Sequence, residues 1–419
     1  MKIKNILKSR IGRNSVFSVL DQVLSIGMNI ILAILFAKFL GPYSFGQYTL
    51  GVSLVGVIAI FSNFGILPIL KRAIAKSANK TCIYLGNALG IKLLLSFPLL
   101  LLITTVVVFV LDYNKDTIFI ILLIVIYNTL ISLISYVGAA LVSLHRNDVL
   151  LKLNVINKSI SLIFAFALLS IGSTLEYLLY TFIIISTLVF IYSFYEIKNI
   201  APNFKILFNL RFNKKYIYIS FPLVLASAAE FINLKVDTIF IGSMLNEVST
   251  GYYSAAYSIF MGAIFIPLAM IKVFFPNFIS LFQHNKKAAF ELLNKYSTYF
   301  IIYSLVIGLI FYFFSKFIIL LIFGDDFNSS IEVLQLLSFA LFAIVLNRLY
   351  NYVLIALKQD KYYFYITLIG TLFNVTLNFF LIPLYGIVSA ALATFITELV
   401  VLLLAFIKIN RIKKNIFLG

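Results

Sequence analysis

Nine ionisable side chains stand inside stretches otherwise built from Leu, Ile, Phe, Val and Ala: Asp21, Lys92, Lys158, Glu230, Lys235, Asp237, Lys272, Arg348 and Glu398. A charge at the centre of a bilayer-length helix costs about 2.5–3.5 kcal/mol on insertion scales. Such residues must pair, snorkel or face water. The chemistry open to them is anion recognition by the cations and binding of a proton or small cation by the carboxylates. Bond-making chemistry has no comparable set of residues. The chain has one cysteine, Cys82, and two histidines, His145 and His284, far apart in sequence. No phosphate-cradling glycine loop and no histidine–carboxylate metal cluster is present, so no metal or cofactor is expected.

The spacing sorts these residues. Lys92 and Lys158 fall about ten residues past the start of their apolar stretches, and Lys272 and Arg348 about ten before the end of theirs. At 1.5 Å per residue that is roughly 15 Å deep. Four cations at one depth, two per half of the chain, predict a cationic zone suited to a diphosphate, with arginine giving bidentate contacts. The competing reading is that each pairs with a local acid or snorkels. In residues 219–260, Glu230 and Asp237 share a helix face with Ser227. They read either as ion-coupling groups or as partners in structural ion pairs, for instance with Lys92 or Lys272. Glu398 carries the same two readings. Ser18, Asp21, Gln22, Ser25 and Asn29 form a polar stripe at intervals of three or four, which suits a cavity wall or helix–helix hydrogen bonds. Asn347 and Asn351 flank Arg348 and suit sugar hydroxyls.

These residues require a membrane body to position them. The chain is 62% hydrophobic and 11% charged, with mean hydropathy +1.07, far from the composition of soluble domains. Bilayer-length windows place about twelve spans, near 14–39, 44–70, 82–111, 117–144, 149–171, 176–195, 216–242, 251–282, 296–322, 331–357, 362–383 and 387–408. The basic N-terminus leads into a stretch too long for a signal peptide, read as the first span. The net charge of +18 concentrates in alternate loops, the positive-inside pattern, so both termini are expected in the cytoplasm and nucleic acid is not an expected partner. The division expected is an N-terminal bundle (1–198), a basic connector (199–215) and a C-terminal bundle (216–419). The halves look related: Gly46-Gln47-Tyr48-Thr49 parallels Gly251-Tyr252-Tyr253-Ser254, and His145 to Asp148 parallels Lys358 to Asp360. Equal orientation implies a parallel repeat.

Several of these stretches resemble a known family. Phe39-Leu40-Gly41-Pro42 with Phe45-Gly46-Gln47-Tyr48, Lys235 to Gly242 with Gly251 to Ala256, and Asn374 to Asn378 with Ile382 to Gly386, Ser389 to Ala391 and Thr397-Glu398 resemble the Wzx-type polysaccharide flippases of O-antigen and capsule assembly. These belong to the superfamily of the MATE multidrug extruders and the lipid II flippase. The resemblance implies an all-α polytopic membrane protein with two pseudo-symmetric six-helix bundles, MATE-like, around a central cavity. It implies movement of undecaprenyl-diphosphate-linked oligosaccharide from the inner to the outer leaflet of the bacterial cytoplasmic membrane by alternating access, and the carboxylates would supply H+ or Na+ coupling. Partners expected are the bilayer, the lipid-linked oligosaccharide and other polysaccharide-assembly membrane proteins, and a monomer suffices. A MATE-like exporter of small cations is the second reading, and the cations at mid-depth argue against it. A glycan polymerase or ligase is the third, and the short loops argue against it.

Overall fold

The structure, a computed structural model, describes residues 10–109, 113–209, 224, 228 and 231–418, without the side chains of several residues in 11–22 and 97–109. All regular structure among the described residues is helical. The helices are α1 (Arg10–Asn63), α2 (Ile66–Lys76), α3 (Thr81–Phe109), α4 (Lys115–Ser143), α5 (Asn147–Ser170), α6 (Leu175–Ile200), α7 (231–244), α8 (Glu247–His284), α9 (Lys286–Phe323), α10 (Ser330–Ala356), α11 (Asp360–Tyr385) and α12 (Ile387–Leu418). Nine of the described helices are long and apolar enough to cross a membrane. The chain forms two compact units, Met1–Leu40 with Gly51–Ala228, and Gly41–Leu50 with Ala229–Gly419.

Three boundaries differ from expectation, each for a local reason. The turn expected at Gly41-Pro42-Tyr43 contracts to one residue, because Gly41 alone leaves the helical region (φ 75°, ψ 177°) and Pro42 restarts the helix. The second span does not run unbroken to residue 70. It stops at Asn63, and Phe64 and Gly65 both take left-handed backbone (φ 44° and 58°) before α2 begins. Gly242 does not break its helix. A Cβ there would lie 2.4 Å from Leu50, so the glycine admits a neighbour, and the helix continues to residue 244. The real turn ends at Asn246, whose side chain caps α8 by accepting from the Ser249 N–H at 2.8 Å. Pro267 and Pro276 lie inside the continuous α8.

In the first unit, α2 buries Ile66, Leu70 and Ile74 against Leu85 and Leu89 of α3 and Val137 and Ala140 of α4. The basic connector is anchored here. Residues 204–209 lie across α3, where the Leu207 N–H donates to the Gly86 carbonyl (3.1 Å) and the Asn209 N–H to Asn87 Oδ1 (3.1 Å). Added Cβ atoms on Gly86 and Gly90 would sit 2.3 and 2.1 Å from the Lys205 and Leu207 carbonyl oxygens. Only glycines let an extended segment lie this close to a helix.

In the second unit α10 is the core helix, with Val333, Leu337, Leu341, Val345, Leu349 and Val353 fully buried. The paired motifs noted in the sequence touch each other within this unit. A Cβ on Gly46 would meet the Glu247 carbonyl oxygen at 1.7 Å, and one on Gly251 would meet the Pro42 carbonyl oxygen at 2.0 Å. The Ser254 hydroxyl donates to the Thr49 hydroxyl, 205 residues away, at 3.0 Å. With that same offset Pro42 corresponds to Glu247 and Gly46 to Gly251. Each segment therefore offers its glycine to the other's carbonyl, the reciprocity of a two-fold contact.

Gly46→Ala and Gly251→Ala should each destabilise the protein by about 1–3 kcal/mol through overpacking, while Gly27→Ala, at a helical position with no neighbour within 4 Å, should leave stability unchanged or raised. Thermal unfolding of the purified protein in lipid nanodiscs checks all three.

Candidate functional site

The second unit holds a buried carboxylate surrounded by neutral groups. Asp237 on α7 is 4% exposed. Its Oδ1 accepts from Asn378 Nδ2 on α11 at 2.6 Å, and its Oδ2 accepts from the Tyr253 hydroxyl on α8 and the Thr394 hydroxyl on α12, both at 2.7 Å. Asn374, one turn before Asn378, lends its Oδ1 to the same amide at 3.1 Å. The Asn378 Oδ1 is buried without a hydrogen-bond partner. Four helices thus converge on one acid, each placing its group by simple means. The Asn246 cap starts α8 two turns before Tyr253, Asn374 and Asn378 are spaced i, i+4 on α11, and Gly386 (φ 68°) lets α12 begin two turns before Thr394. The two ion pairs found among the described residues, Arg146–Asp148 and Lys152–Glu196, are elsewhere. Among the described residues, then, Asp237 has none of the lysine partners of the ion-pair reading.

A second carboxylate, Glu398 on α12, accepts from Asn347 Nδ2 of α10 at 2.5 Å, and the same amide donates to the Glu398 backbone carbonyl at 2.8 Å. Arg348 is half-buried and close enough to act electrostatically on Glu398 and on Tyr257. The Asn347 and Asn351 Oδ1 atoms and the Thr397 hydroxyl are buried acceptors without hydrogen-bond partners. This cluster offers both donors and acceptors, the mixture that a sugar hydroxyl or a bridging water needs.

In the first unit the stripe on α1 meets α5. Lys158 Nζ donates to the Ser25 carbonyl and to Asn29 Oδ1, both at 3.0 Å, and Asn154 Nδ2 donates to Asp21 Oδ1 at 2.8 Å. Asp21 acts on Lys158 electrostatically. Lys158, Asp21, Ser25 and Asn29, separate candidates in sequence, thus form one half-exposed polar seam. Lys92 is elsewhere, 1% exposed, its amine donating to the Ser62 hydroxyl at 2.5 Å. Lys272 is exposed on α8. Ser18 and Gln22 have side chains outside the described residues, as is Glu230 entirely.

Tyr253, Asn374, Asn378 and Thr394 are the residues that sequence reasoning left out of the site. Three of them lie inside stretches that carried the family resemblance, and the structure gives those stretches a common purpose at Asp237.

Residues 11–282 match the family described as polysaccharide biosynthesis protein, well over half of the chain. The chain belongs to that family. A probable low-salt glycan biosynthesis flippase, Agl15 of Haloferax volcanii, is 24% identical over 394 residues, 92% of this chain and 80% of that protein. The capsular polysaccharide biosynthesis protein CapF of Staphylococcus aureus is 26% identical over 195 residues, 45% of this chain, and the match spans about half of that protein's length, 48%. Among solved structures, the lipid II flippase MurJ in an inward closed conformation superposes with TM-score 0.75 at 18% identity, covering 94% of this chain and 87% of that one. An inward-facing MATE multidrug transporter gives TM-score 0.69 at 14% identity, covering 92% of this chain and 95% of that one. The chain thus has the fold shared by MurJ and the MATE transporters.

Because Asp237 carries two hydroxyl donors on one oxygen, Tyr253→Phe and Thr394→Val should each lower stability by about 1–3 kcal/mol, as for lost hydrogen bonds to a charged group. In an Asp237→Asn background the same changes should cost clearly less, the mark of direct coupling. Thermal unfolding of the single and double variants measures both.

Proposed function

We propose that this protein is a flippase for lipid-linked oligosaccharide, not an enzyme. Its cargo would be undecaprenyl-diphosphate-linked repeat units of an O-antigen or capsule, carried from the inner to the outer leaflet of a bacterial cytoplasmic membrane by alternating access, with both termini in the cytoplasm. The observation that carries this reading is the alignment of 92% of the chain with a protein named as a glycan biosynthesis flippase. The fold alone would equally suit a MATE-like exporter of small molecules, which stands as the second reading.

The physical requirements of such a cargo match what the helices offer. A diphosphate–sugar head group does not cross about 30 Å of hydrocarbon unaided. Within this proposal Lys158, Lys272 and Arg348 meet the diphosphate, and Ser25, Asn347 and Asn351 meet sugar hydroxyls, joined by Ser18 and Gln22 of the same stripe as Ser25. Asp237 is assigned to ion coupling. An acid with only neutral partners can exchange a proton or Na+ without breaking an ion pair, and the oxygens of Asn374, Asn378 and Thr394 beside it are the hard donors that either ion accepts. Asp21, Glu230 and Glu398 are further candidates for the same role.

Deleting the gene and analysing the lipid extract by mass spectrometry tests the reading. A polyprenyl-diphosphate-linked oligosaccharide should accumulate on the cytoplasmic side and disappear when the intact gene is restored. Arg348→Ala and Asp237→Asn should restore surface glycan poorly, by about tenfold less than wild type, the scale of about 1.4 kcal/mol in a transport barrier. An unchanged lipid profile with new sensitivity to cationic dyes would favour the exporter instead.

A further inference from the structure

Lys92 has no place in the transport chemistry just proposed, and its surroundings are unusual. It is one of the largest fully buried side chains of the first unit, at 1% exposure. Among the described residues the one hydrogen bond of its amine is the one donated to Ser62 Oγ. Ser62 in turn donates its own proton to the Ala59 carbonyl at 2.9 Å. The hydroxyl therefore presents only lone pairs to Lys92, and the amine must be the donor. No carboxylate among the described residues pairs with it or acts on it electrostatically.

The position of Ser62 gives the contact a consequence. It is the penultimate residue of α1, and the next residues, Phe64 and Gly65, are both left-handed. A phenylalanine at φ 44° is strained, since its Cβ crowds the backbone there. The break is held from two sides. On the α4 side the Ser132 hydroxyl donates to Asn63 Oδ1 at 2.6 Å, and the Tyr136 hydroxyl donates to the Asn63 carbonyl at 3.0 Å. On the α3 side, among the described residues, the grip is Lys92. A helix ends in a partial negative charge and unpaired carbonyls, so a cation there is favourable. Besides Lys92, the titratable group facing this end is Tyr136. The cations of α2, Lys71, Arg72 and Lys76, are exposed or partly exposed.

We propose that Lys92 is a proton-binding latch on the α1–α2 break. With its proton on, the ammonium grips Ser62 at the negative end of α1 and keeps the chain broken at Phe64–Gly65. When the proton leaves, the charge that favoured the helix end is gone, and the strained pair relaxes toward continuous helix. The ligand is a proton alone, the bond made and broken is the N–H of Lys92, and the latched form is the one favoured at lower pH. The proposal does not depend on the cargo and stands whether or not the flippase reading holds.

The absence of tryptophan from the chain gives a clean test. Phe61, partly exposed just before Ser62, is replaced in Phe61→Trp to make the sole indole. The full-length protein is titrated in lipid nanodiscs between pH 5 and 10 by fluorescence. The expected result is a single-proton transition in Phe61→Trp, absent when Lys92→Met is added and replaced by a flat signal at the low-pH level when Lys92→Arg is added. Gly65→Ala, which disfavours the left-handed turn without touching the amine, should displace the midpoint or abolish the low-pH level, and it serves if the Lys92 variants fold poorly. A transition that persists unchanged with Lys92→Met, a pH-independent signal in Phe61→Trp, or a midpoint indifferent to Gly65→Ala would overturn the latch.

Discussion

The constraint behind this structure is that a polar group inside a membrane helix has no water to fall back on. An unpaired charge at that depth costs several kcal/mol, comparable with a large part of the stability of a whole domain. The described interior answers with hydrogen bonds and not with ion pairs. Asp237 is clothed by an amide and two hydroxyls, Glu398 by an amide, and Lys92 by one hydroxyl. The ion pairs found are at the ends of helices α5 and α6. A buried ion pair is rigid because removing either partner strands the other. A charge held by neutral donors or acceptors can be gained or lost with its surroundings intact.

The second requirement is that helices approach closely enough to complete those shells. Tyr253 reaches Asp237 only if α8 starts at the right height beside α7. That start is fixed by the Asn246 cap and by the crossing in which Gly46 and Gly251 lie against the carbonyls of Glu247 and Pro42. No hydrophobic drive pulls helices together in lipid, and small residues that allow backbone contact take its place. The glycines at the crossing therefore serve the site although no side chain of theirs touches it. The same device recurs where Gly86 and Gly90 admit the extended segment after α6.

How much of this was legible in the sequence depended on the signal each feature leaves. Helicity, membrane character and the approximate spans follow from hydropathy, which is a property of long windows and tolerates local error. The family was legible because Gly251 to Ala256, Asn374 to Asn378 and the Lys235 to Gly242 stretch are short, ordered and widely spaced. Turn positions were less legible. The span ended at Gly242 by hydropathy, whereas that glycine lies inside the helix and makes room for Leu50, a long-range fact that sequence does not carry. The shell of Asp237 was hidden for the same reason: Tyr253, Asn378 and Thr394 are 16, 141 and 157 residues from the acid. Lys92 and Lys158 looked alike in depth. Only their neighbours separate them, since one is sealed against Ser62 and the other lies on a half-exposed seam with Ser25 and Asn29.

That separation bears on how charge is divided in the protein. If every intramembrane cation served the substrate, each would need access to it, and a fully buried lysine would be a cost without a return. Burial instead points to groups whose partners are parts of the fold. Asp237 joins four helices of the second unit, and Lys92 meets the end of α1, where two consecutive residues are left-handed. Both are single charges, both are held by neutral groups, and both sit where helix ends or helix crossings fix the local geometry. Helices whose outer surface faces featureless hydrocarbon differ from one another chiefly in what they hold within. A charge at such a junction makes the local geometry sensitive to it, because gain or loss of a proton or small ion alters the local energy by several kcal/mol while displacing almost no volume.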